Sequence, residues 1–119
     1  MKTGVELNHA TLRELEKLGG AEFVGQMIEV FCAHVPEQLA RLHGNGADAV
    51  LEIEQAAHSL KSSARTVGAE ALQVVAERLE SQARAGAAAE LPGLVREAEA
   101  AFARVVVLLA AERKKVGAG

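Results

Sequence analysis

Ala57-His58-Ser59-Leu60-Lys61-Ser62-Ser63-Ala64-Arg65-Thr66-Val67-Gly68-Ala69 is the stretch from which the fold can be read outward. Counting from slightly upstream, Val50, Ile53, Ala57, Leu60, Ala64 and Val67 recur every three or four residues. That period puts them on one face of a helix. At about 100° per residue, His58 falls roughly 130° from the centre of the stripe and points away from the core. Its surface neighbours at helical spacing are Glu54, Gln55, Lys61, Ser62 and Arg65.

An outward imidazole with two cations nearby suits an arriving anion. A neutral ring nitrogen is a nucleophile that titrates near neutral pH. Lys61 and Arg65, one and two turns on, can offset charge on a phosphoryl group. Ser59, Ser62, Ser63 and Ala64 are small, which leaves the ring open to a partner's active site. Taken alone, an exposed histidine with a lysine one turn away is common on any solvated helix.

The segment from His58 to Ala69 resembles the signature of histidine-containing phosphotransfer (HPt) domains, H-x-L-K-G-S-[SA]-x-x-[LIV]-G-A preceded by Ala. His58, Leu60, Lys61, Ser63, Val67, Gly68 and Ala69 match in order and without a gap, and Leu72 and Leu79-Glu80 extend the match. The departure is Ser62, where the family usually has Gly; both are small, so access to the ring is expected to survive. The resemblance implies a phosphorelay intermediary in two-component signalling. His58 would accept a phosphoryl group from a receiver-domain aspartate and pass it to another receiver. Lys61 would be the electrostatic partner of the phosphate, with Arg65 adding to the field. Ser62 would be the small residue giving access, Gly68 a structural requirement, and Glu80 the side chain that orients the imidazole. The protein would be a phosphocarrier rather than an enzyme, binding no cofactor. Mg²⁺ and most catalytic groups would belong to the receiver. Expected partners are response-regulator receiver domains and a hybrid sensor histidine kinase, met by a cytoplasmic monomer.

Composition bounds the fold independently. The 119 residues are half hydrophobic but only 3% aromatic, with no Trp or Tyr. A core of Leu, Val, Ile and Ala favours closely packed helices, and this length fits one domain over 1–119 with a core of about 7–115. Net charge is −3 with no interior basic run, so nothing points to nucleic acid. No apolar segment reaches the ~18 residues of a membrane span, and the N-terminus lacks a signal peptide's apolar region. One cysteine excludes an internal disulfide and agrees with a reducing compartment.

Along the chain, Asn8 reads as an N-cap, and Leu12, Leu15 and Leu18 as one face of a short helix stopped by Gly19-Gly20. A second helix is expected over about 21–42. Phe23, Met27, Val30, Phe31, Val35, Leu39 and Leu42 form its stripe, Val24 and Ile28 widen it, and Pro36 kinks it. Gly44-Asn45-Gly46 is a turn. The His58 helix spans about 48–67, with Asp48 and Glu52 near its start. The next covers about 69–85, carries Leu72, Val75, Ala76, Leu79 and Ala83, and stops at Gly86. The segment 87–90 is a connector. Pro92 opens a last helix whose face is Leu94, Val95, Ala98, Ala101, Phe102, Val105, Leu108 and Leu109; residues 117–119 should fray. No segment reads as a strand. The expected architecture is an all-α antiparallel four-helix bundle with a short extra N-terminal helix across one end.

Other clusters carry less. His9, His34, His43 and Cys32 lack metal-ligand spacing, with His34 read as a core-edge side chain and Cys32 as a buried small hydrophobe. Glu52/Glu54 and Glu97/Glu99 read as solvated faces, and no phosphate loop or nucleophile elbow occurs. Two other classes stand beside the main reading. One is an HPt-like bundle that binds a signalling partner without carrying phosphate. The other is the dimeric phosphoacceptor hairpin of a sensor kinase, which would place an acidic residue where Ser59 follows His58.

Overall fold

Asn8 caps the first helix as the sequence predicts: its side chain accepts from the Ala10 amide at 3.0 Å. The structure, a computed structural model, describes residues 6–44 and 49–118. Four α-helices follow: α1 (His9–Arg41), α2 (Ala49–Val67), α3 (Glu70–Ala85) and α4 (Leu91–Ala118), with a single 3₁₀ turn at Ala88–Glu90 before α4. Among the described residues there is no strand. Around the bundle, α1 neighbours α2 and α4, and α3 lies between α2 and α4. Short connections force successive helices to run antiparallel.

Gly20 divides α1 into a short arm and a long bundle helix. It has φ +79° and ψ −174°, the one non-helical residue inside α1, so the predicted short N-terminal helix is present as this arm. The chain carries on through Pro36 with helical dihedrals. Gly86 takes φ +75° as the left-handed cap of α3, where its amide reaches the Ala83 and Gln82 carbonyls. Pro92 lies in the first turn of α4.

The core is aliphatic and rich in alanine. Leu42, Leu60, Leu72, Leu79 and Leu109 are its largest fully enclosed side chains. Ala56, Ala57 and Ala64 on α2 and Ala76 and Ala83 on α3 are also buried, so these two helices can approach closely. The Phe31 and Phe102 rings meet with centroids 5.7 Å apart across α1 and α4.

Several expected core positions lie elsewhere. Leu18 is 78% exposed. Steps of three residues drift by about 60° each, so Leu18 has rotated well away from buried Leu12, and Gly20 then turns the chain. On the bundle part of α1, Val24 and Ile28 are central, together with Phe31, Val35, Leu39 and Leu42. Val30 is exposed, and Phe23 and Met27 are half-buried at the edges. Val50, in the first turn of α2, and Leu108, beside exposed Val107 within α4, are also exposed. His34 is exposed rather than at the core edge, and Cys32 is half-buried against the core rather than inside it. Asp48 and most of the Gly44-Asn45-Gly46 turn lie outside the described residues. The expected fray is replaced by helix through Ala118, with Gly119 outside.

The corner between α2 and α3 is only Gly68-Ala69. Gly68 has φ +78°, and a Cβ there would meet the Asn8 carbonyl oxygen at 2.7 Å and the Thr11 Cβ at 2.8 Å. The N-terminal arm is therefore packed directly on the corner. Asn8 fastens it, its amide donating to the Gly68 carbonyl at 2.7 Å and its Nδ2 to Glu70 at 2.6 Å.

Leu60 is fully enclosed on the face of α2 away from His58. Leu60→Ala is expected to cost about 2–5 kcal/mol in chemical denaturation. A loss well under about 1 kcal/mol would mean that α2 is rotated from this arrangement, and His58 with it.

Candidate functional site

His58 stands on the outer side of α2, next to α3, with 63% of its side chain exposed. The reason lies in the hairpin. With a two-residue corner, positions equidistant from Ala69 lie level on the two helices. His58 and Glu80 form one such pair, and Glu54 and Arg84 another. The alanine-rich seam lets their side chains meet.

The His58 Nδ1 lies 2.9 Å from Glu80 Oε2. Lys61 donates from Nζ to Glu80 Oε1 at 2.7 Å, and Arg84 donates from NH2 to Glu80 Oε2 at 3.1 Å. Arg84 also donates from Nε to Glu54 Oε2 at 2.9 Å, joining α3 back to α2. The Glu80 side chain is 8% exposed and Lys61 18% exposed. Glu54, Gln55, His58, Ser59, Glu80 and Arg84 line a shallow cleft of about 410 Å³ beside the imidazole.

This geometry settles what the ring can do. Glu80 is held ionised: the Lys61 hydrogen bond pulls its carboxyl below the ordinary carboxylate range, opposed by burial and aided by His58. A carboxylate only accepts, so Nδ1 carries the proton in the neutral ring and Nε2 presents its lone pair to solvent.

Of the residues singled out in the sequence, His58, Lys61 and Glu80 are brought together. Ser62 is exposed one turn beyond His58, outside the cleft lining, and its carbonyl accepts from the Thr66 hydroxyl at 3.1 Å. Arg65 is exposed in the last turn of α2, where a cation suits the helix terminus. It enters none of the site's hydrogen bonds among the described residues. Sequence reasoning missed Glu54 and Arg84. Glu54, which reads from the sequence as part of a solvated face, is tied to Arg84. The signal that finds them is their level placement about Ala69, together with the four-residue spacing of Glu80 and Arg84. Among the described residues, no three His, Cys, Asp or Glu side chains converge as metal ligands would, and no helix is long and apolar enough to cross a membrane.

The fold is thus a four-helix bundle whose α2–α3 hairpin carries an exposed imidazole beside a buried acid. Residues 26–109 match the family model of the Hpt domain, and the chain belongs to that family. Such domains are phosphocarriers rather than enzymes, and the chain is a phosphotransfer intermediary of two-component signalling. Its structure is similar to the crystal structure of histidine-containing phosphotransfer protein B (HptB) from Pseudomonas aeruginosa PAO1, with a TM-score of 0.85 and 27% sequence identity. The likeness covers 92% of this chain and 96% of that one. No curated protein sequence matches the chain.

The depressed Glu80 carboxyl makes a signed prediction. A group whose folded pKa is lowered adds stability above its unfolded value, near 4.3, and loses it as pH falls through the folded value. Wild type should therefore be more stable than Glu80→Gln at pH 7, with the difference shrinking below about pH 4. A difference that stays constant from pH 7 to pH 2 in denaturant titrations would mean that Glu80 is not held ionised by its neighbours.

Proposed function

We propose that His58 is the phosphorylated residue and that the protein relays phosphoryl groups between receiver domains. The Nε2 lone pair attacks the phosphorus of a receiver's aspartyl phosphate. The N–P bond forms as the P–O bond to the aspartate breaks, and the carboxylate leaves on the receiver. The ring keeps its Nδ1 proton and gains positive charge, which Glu80 balances. Transfer to a second receiver is the reverse reaction with a different aspartate. The observation that carries this reading is the Nδ1–Glu80 contact at 2.9 Å on an otherwise exposed ring.

In this reading the receiver brings Mg²⁺ and most of the catalytic groups. This chain contributes an oriented nucleophile and local charge, on which phosphoryl transfer chiefly depends. Lys61 keeps the buried Glu80 compensated and adds positive potential beside the phosphate. Ser62, small and exposed, leaves room for the receiver to approach. The protein acts as a monomer in a transient interface that covers the His58 side of α2 and part of α1. A hybrid sensor kinase carrying a receiver is a fitting donor, and such a pathway runs in the cytoplasm.

A transfer assay tests the reading. Wild type and His58→Gln are mixed with a phosphorylated receiver in the presence of Mg²⁺. Label should appear on wild type only, labile in acid and stable in base. Label on His58→Gln would move the phosphoacceptor elsewhere. No label on wild type with several receivers would leave phosphate-independent partner binding as the function. In the same assay Lys61→Ala should transfer more slowly, and a wild-type rate would remove the role given to Lys61.

A further inference from the structure

The phosphorylated imidazole needs more positive charge than the resting site leaves available. A phosphoryl group brings roughly two negative charges to a place where Glu80 already holds one. Lys61 is largely buried and committed to Glu80 Oε1. Arg65 lies two turns along α2 and makes no contact with the cluster among the described residues. Arg84 is different: it lines the cleft beside His58 and bonds the same carboxylate oxygen that faces the His58 Nδ1.

Its donors are divided in a useful way. Nε is engaged with Glu54 and one NH2 hydrogen with Glu80, while NH1 enters no hydrogen bond among the described residues. A guanidinium has five N–H donors in a rigid fork matched to phosphate oxygens. The side chain is 63% exposed, so its tip is free to turn while Nε stays on Glu54.

We propose that Arg84, anchored by Glu54, is the phosphate-binding cation of the phosphorylated state. Its terminal nitrogens turn from Glu80 to a phosphoryl oxygen on His58 Nε2, leaving Lys61 to compensate Glu80. Glu54 is the positioning residue that keeps the guanidinium over the cleft. This deepens the reading of His58 as phosphoacceptor and rests on it.

The test loads the full chain with phosphoramidate, a small donor that transfers its phosphoryl group to His58 Nε2 with loss of ammonia. No receiver surface is then involved. The phosphoryl resonance is titrated by ³¹P NMR in wild type, Arg84→Ala, Arg84→Lys, Arg65→Ala and Glu54→Gln. A contacting cation favours the dianion, so Arg84→Ala should raise the midpoint of the phosphoryl titration by about half a pH unit. Arg84→Lys should restore most of that shift, Glu54→Gln should give an intermediate value, and Arg65→Ala should match wild type. A role limited to holding Glu80 is separated in a Glu80→Gln background, where Arg84→Ala should still raise the phosphoryl midpoint, and a shift that vanishes there overturns the proposal. An unchanged midpoint in Arg84→Ala, or a shift in Arg65→Ala instead, overturns the proposal. If wild type gives no phosphohistidine with phosphoramidate or with any receiver, the reading of His58 as phosphoacceptor fails first, and this one with it.

Discussion

A carboxylate held between two helices with almost no access to water has to be compensated, and Glu80 is compensated from three sides. Lys61, His58 and Arg84 all face its two oxygens. Burial alone would favour the protonated acid, whereas the charged and polar partners hold it ionised. The ionised state is what makes the site useful. It places the imidazole proton on Nδ1 and leaves the Nε2 lone pair open, as the proposed phosphoacceptor role requires. An uncharged group at Glu80 could still orient the ring through a hydrogen bond, but it would not offset charge gained by the ring. The same choice raises the demand for cations once a phosphoryl group arrives.

The contact exists because the backbone packs two helices against each other around a two-residue corner. Gly68 adopts a left-handed conformation there, and the N-terminal arm fills the space that a side chain would occupy. Alanines along the seam let α2 and α3 approach closely. Level pairing about Ala69 then sets Glu80 beside His58 and Arg84 beside Glu54. The arm, the corner and the chemistry are thus mechanically linked, although Asn8 and the imidazole lie at different heights on the bundle. The long α4 and the bundle part of α1 close the other side and keep the hairpin from splaying.

Most of this was legible in the chain before the structure. Helical spacing placed Leu60 and Ala64 inside and His58 outside, and Gly20, Gly68 and Gly86 were readable as punctuation. The errors share a cause. Stripes drawn in steps of three drift around the helix, so Leu18 and Val30 were assigned to a core that Val24 and Ile28 fill. Residue type alone does not place His34 or Cys32, because exposure depends on which faces the other helices cover. Within the site, periodicity along α2 sets Lys61 one turn from His58, but it does not show that Glu54 on the same helix is held by Arg84. Arg65 was favoured because it shares that helix with His58. Arg84 was missed because its relation to His58 passes through the hairpin corner, and periodicity within one helix carries no information about that.

The account stands on the tautomer of His58, and the most direct measurement is ¹⁵N-detected histidine NMR of the unphosphorylated protein at neutral pH. With Glu80 accepting from the ring, the neutral imidazole should be protonated at Nδ1 and bare at Nε2. In Glu80→Ala the preference should move toward the Nε2–H form usual for free histidine. A wild-type ring protonated mainly at Nε2 would contradict the account, because the exposed nitrogen would then have no lone pair with which to attack phosphorus.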